Sequence, residues 1–194
     1  MTLWTIQPIE IYEDLMQSGA YDVDITKTMM QYFDEPYKWL IQQMCDKVGE
    51  PVDDEAAPIW AWHTYHGQRK KPDFRHARWE FGKEGDLFAC IECEIPDEEV
   101  VLSDFDSWSI ILLDGLLSDS ENEDKRISKE YETLSDREKE EYKHENWKRV
   151  FDITPIDNEW IRRGEDIQAT FWTLKKEQIR KATFFKGAEK MQSE

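Results

Sequence analysis

Residues 87–106 read LFACIECEIPDEEVVLSDFD. Leu87, Ala89, Ile91, Cys93 and Ile95 alternate with Cys90, Glu92 and Glu94. A period of two sends the first set to one face of a strand and the second to the other, so this is a strand whose two faces meet different surroundings. Pro96 has no N–H to give a ladder and ends it. The run EVVLS (99–103) is a second, shorter strand. Asp104 or Asp106 then caps a helix in SWSIILLDGLL, with Gly115 near its end. Strands and a helix following one another in this way predict an α+β domain, with a mixed or mainly antiparallel sheet, split or continuous, flanked by helices.

The same logic extends outward in both directions. TLWTIQ (2–7) suits a strand, and Pro8 sits where a first helical turn tolerates a missing N–H. Ile11, Tyr12, Leu15 and Met16 continue as an apolar stripe that Gly19 stops. In DEPYKWLIQQMCDKVGEP (34–51) the apolar residues Tyr37, Leu40, Ile41, Met44, Cys45 and Val48 recur at helical spacing, and Gly49 and Pro51 end the helix. VDDEAAP (52–58) reads as a loop. PIWAWHTY (58–65) alternates as a strand with Trp60 and Trp62 on one face. GQRKKPDFRHAR (67–78) is a basic connection. Residues 118–146 are polar and charged, with a Ser135 to Glu138 capping box, and read as a solvated helix or a mobile insertion. DIQATFWTLKKEQIRKATFF (166–185) closes the chain as a strand, a helical turn near LKKEQI and a last strand, before a polar tail.

The length, 194 residues, fits one domain over 1–194. Nine Trp, nine Phe and seven Tyr supply ample apolar area for a core despite 35% charged residues. A net charge of −18 repels phosphate backbones, so direct nucleic-acid binding is not expected, and it suits a basic protein partner. Three cysteines and a start without a charged-then-apolar leader predict a reducing, cytoplasmic setting. No run approaches the roughly 18 apolar residues that span a bilayer, so no membrane partner is expected.

Several residue sets carry chemistry. Glu92 and Glu94 share a strand face and can act as paired carboxylates, or lie on the wet side of an ordinary strand. Arg69, Lys70, Lys71, Arg75 and Arg78 stand against one acid, Asp73; Arg75 or Arg78 can grip a phosphate or carboxylate bidentately, or the set can pair with the acidic run from Glu92 to Asp106. Trp60, Trp62 and Trp172 can wall a planar ring, or fill the core. Cys90 and Cys93 lie three apart on a strand and so point to opposite faces, and His63 and His66 share that difficulty; no metal is expected.

LWTIQ, PIWAW with KPDFR, EVVLSDFDSW and QATFWTLKKEQI together resemble a bacterial family of domains of unknown function, numbered 3841, across nearly the whole chain. That name implies no activity. A first strand, a helix ending in Gly and a late strand with a Gln are also similar to the frame of the small ADP-ribosyltransferases. That resemblance implies a split sheet holding NAD in a cleft, with Trp4 and Thr5 in the first-strand region and Gln168 matching the family's glutamine. Thr170 stands where the family has its glutamate, and a first-strand histidine is missing. A hydroxyl does not supply the negative charge that a carboxylate places beside a developing cation. The acid would then come from Glu92 or Glu94.

The implied site comprises Gln168, Thr170, Glu92 and Glu94 for chemistry, and Trp4, Thr5, Trp62, Arg75 and Trp172 for the nucleotide. The alternative is a non-enzymatic acidic module, a nucleic-acid mimic or the partner of a basic protein, as in phage or host-defence proteins.

Overall fold

The computed structural model describes residues 1–53, 55–75 and 81–188. Strand β1 (Thr2–Pro8) runs into helix α1 (Ile9–Ser18). Gly19 ends that helix at φ 93°, a left-handed value open to a residue without Cβ, and its N–H bonds the Leu15 carbonyl. Then come β2 (Ala20–Asp24), short 3-10 turns, and α2 (Asp34–Val48). The two-residue β3 (Ala56–Ala57) lies inside the stretch expected to be a loop, and β4 (Ile59–Thr64) follows. The quoted alternation is β5 (Leu87–Glu94), then β6 (Val101–Asp104) and α3 (Phe105–Leu112). Residues 118–146 hold α4 (Glu121–Glu132) and most of α5 (Asp136–Trp147), the latter started by the Ser135–Glu138 capping box. The chain finishes with β7 (Ile156–Asp157), β8 (Arg162–Arg163), β9 (Ile167–Phe171), β10 (Thr173–Lys175) and β11 (Ile179–Lys186). Arg78 and the polar tail lie outside the described residues.

Six strands form one sheet in the order β11-β5-β1-β4-β9-β6, every described pair antiparallel. A second sheet, β10-β2-β3, takes over where β9 breaks at Trp172. The protein is therefore α+β with a divided, antiparallel sheet, as expected.

Directly opposed residues point to the same face, so the register sorts the side chains. One face of the large sheet carries Leu3, Ala61, Ile91, Cys93, Ala169 and Phe171, buried against α1 and the small sheet. Leu87 alone of its predicted set is exposed, at 42%, because it opens the strand. The other face is covered in two halves. Trp60 and Val101 pack under α2, α3 and α5 with Trp108 and Trp147. Trp4, Ile6, Trp62 and Cys90 pack under the segment carrying Phe74 and Phe81.

Candidate functional site

The register draws one row across that second face. Glu92 on β5 opposes Trp4 on β1, Trp4 opposes Trp62 on β4, Trp62 opposes Gln168 on β9, and Gln168 opposes Ser103 on β6. Residues 164 positions apart in sequence thus share a face. The Trp4 indole N–H donates to the Glu92 carboxylate at 3.2 Å, and Thr2 donates its hydroxyl to Glu94 on the same face. At the far end the Ser103 hydroxyl is buried, with no hydrogen-bond partner among the described residues.

The other expected site residues stand apart from this row. Thr170 is one same-face step along β9, 1% exposed, and donates its hydroxyl to the Val101 carbonyl at 3.4 Å. Thr5 points to the opposite face, where it donates to the Trp60 carbonyl at 2.8 Å. Strand alternation alone separates it from Trp4. Trp172 donates its indole N–H to the Gly49 carbonyl at the end of α2. Arg75 is closed on Asp73, its Nε 2.9 Å and 3.0 Å from the two carboxylate oxygens and its terminal nitrogen at 2.6 Å, so its bidentate capacity is already used.

The segment after β4 folds back as a strap over the row. Arg69 donates to the carbonyls of His63 and Thr2 and lies 5.8 Å from the Trp4 ring centroid, a cation over an aromatic face. Burial draws its pKa down, against the pull of Glu94. Beyond it, Lys70, Lys71 and Phe74 stand over Cys90, Phe184 and Phe185 and enclose a cavity of about 470 Å³. Neither lysine has an ion-pair partner among the described residues. Among the described residues of the basic stretch they are the cations without a carboxylate partner or a carbonyl contact, and the nearby Asp73 to Arg75 spacing was the signal that Arg75 was taken. Burial pushes the Cys90 thiol up to about 11, with Lys71 opposing, so the cavity floor is a protonated thiol at neutral pH and no nucleophile.

His63 sits at a register shift in β4 with its Nδ1 2.9 Å from the Thr64 hydroxyl. Burial first, then the Arg69 cation, lowers its pKa from 6.5 to about 4, with Asp97 opposing. The folded state therefore prefers neutral imidazole. The associated stability is fully present above about pH 6.5 and is lost as pH falls through about 4. Thermal melts across that window should show a decline in the wild type that flattens in His63→Gln; an equal decline in both would rule the histidine out as its source.

Metal-ligand groupings are sparse among the described residues. Cys93 lies in the buried core and Cys90 on the other face, as strand spacing requires. Glu35, Glu140 and His144 offer donor atoms within 4.8 Å of one another, a set gathered from α2 and α5 that no sequence spacing announces. Glu35 is already engaged, 2.7 Å from the Lys143 ammonium and 3.2 Å from His144, and Lys143 also holds Asp114 at 2.7 Å. Glu35 and His144 are thus members of an ion-pair network centred on Lys143.

Among the described residues no helix is long and apolar enough to cross a membrane. Neither the curated proteins nor the solved structures give a match to this chain, so the likeness to ADP-ribosyltransferases gains no support from those comparisons. The family model described as Domain of unknown function (DUF3841) matches residues 2–180, carrying the strands of the row and the strap above them, and the chain belongs to that family.

Proposed function

We propose that this protein binds a nucleotide, with NAD as the first ligand to test, in the cavity between the strap and strands β5 and β11. The observation that carries the reading is the pairing of two open lysines with an aromatic wall in a protein of net charge −18. Lys70 and Lys71 suit a diphosphate, and Phe74 and Phe185 offer flat apolar surface to a base or nicotinamide ring. Glu92 is one same-face step from Cys90 on the cavity floor. Though not itself in the cavity lining, it is the carboxylate that would stand in for the acid that Thr170 lacks, facing a developing positive charge on a ribose. Trp4 orients it through the indole hydrogen bond.

Calorimetric titration with NAD tests this directly. Saturable binding is expected, weakened about tenfold or more in a Lys70→Ala/Lys71→Ala double variant, since each charge-assisted contact contributes about 1.5 kcal/mol or more. Glu92→Gln should leave binding in place and remove any nicotinamide release. Absence of saturable binding in the wild type would overturn the proposal.

A further inference from the structure

The strap segment has a second side. Tyr65, His66, Gln68, Lys70, Lys71, Pro72 and Asp73 line a smaller recess of about 150 Å³ that shares the last four of these residues with the larger cavity. His66 is at φ 50° in the turn after β4, with Tyr65 and Gln68 bridging across it. Asp166, just before β9, accepts the His66 backbone N–H and lies 3.4 Å from its ring Nδ1. Asp166 thus lies on the Nδ1 side of the ring, and among the described residues no hydrogen bond engages Nε2.

We infer that this recess binds a tetrahedral dianion of the phosphate monoester class, held by Lys70, Lys71 and the imidazole of His66. This inference rests on the nucleotide reading: Lys70 and Lys71 line both hollows, so the recess takes the terminal phosphate of the same ligand, and His66 adds a contact that the larger cavity does not have. Three donors on one small concavity are what a phosphate group, with its several acceptor oxygens, requires. Asp166 and Glu165 approach from the β8–β9 turn, with Asp106 of α3 in the same acidic field. Lys70 and Lys71 approach from the strap, where Asp73 is neutralised by Arg75.

Sulfate is the probe, because it is a tetrahedral dianion. Titrated against the full chain at constant ionic strength in chloride, it should bind one to one. His66→Asn should weaken that binding about tenfold, the loss of one hydrogen bond to a charged group; asparagine tolerates the left-handed turn, so the fold is kept. Lys70→Ala/Lys71→Ala should abolish binding. No saturable sulfate binding, or unchanged affinity in His66→Asn, would overturn the inference. The two proposals fail separately: sulfate bound without NAD removes the nucleotide reading alone, and NAD bound without sulfate removes this one alone.

Discussion

Trp147→Ala should lower the unfolding free energy by about 4 kcal/mol, the loss expected when a fully buried large aromatic leaves a cavity. The residue is 0% exposed and closes the last turn of α5. Its ring meets Trp39 of α2 edge to face at 5.5 Å, the Lys143 ammonium sits 5.1 Å from its centroid, and its indole N–H donates to the Gly115 carbonyl at 2.8 Å. Truncation removes the apolar contact, strands that carbonyl and frees the link between α5 and the end of α3. Urea denaturation followed by far-UV circular dichroism measures it. A loss below about 1 kcal/mol would mean that the helices over the second face are held by their surface ion pairs, which typically contribute less than that each.

The second large effect is expected at Asp104. This side chain, 1% exposed, caps α3 by accepting the Ser107 N–H at 2.9 Å and hydroxyl at 2.8 Å through one oxygen, and accepts the Gly164 N–H at 2.8 Å through the other. Gly164 itself has φ 84° with no room for a Cβ, which would lie 2.9 Å from the Ile153 carbonyl, so the backbone has little freedom to find another acceptor. Asp104→Ala leaves both N–H groups unpaired and should cost about 3 kcal/mol. Asp104→Asn keeps the cap and sets an amide N–H against the Gly164 N–H, and should cost about half as much. Equal stability of the alanine and asparagine variants in the same urea assay would show that the cap to Ser107 contributes nothing and that the whole loss lies in the Gly164 bond.

The parts legible in the sequence are those set by local period and by caps. The alternation of 87–95 put Ala89, Ile91, Cys93 and Ile95 in the core and left Glu92 on the opposite face. Ser135 with Glu138, and Asp104 before its helix, announced their helices by side-chain chemistry. The small sheet was not legible, because the pairing of β10 with β2 joins short segments about 150 residues apart and no local pattern encodes a partner. For the site, Trp4, Trp62, Gln168 and Glu92 were each named from the sequence, but their common row depends on strand order. Thr5 shows the reverse case: the period of two already separates it from Trp4. Lys70 and Lys71 were grouped with Arg75, yet only the closed Asp73 to Arg75 pair tells which cations remain open.

The strand order also bears on how the chain acquires its shape. β1 pairs with β5, β9 is laid between β4 and β6, and β11 pairs back with β5, so few of the large sheet's ladders join neighbours in sequence. Each such ladder closes a long loop before any burial offsets the lost chain freedom. Folding should therefore belong to the slow, non-local regime. Until β9 arrives, β4 and β6 lack their shared partner, and the tryptophans of the second face are left to water or to whatever apolar surface reaches them first.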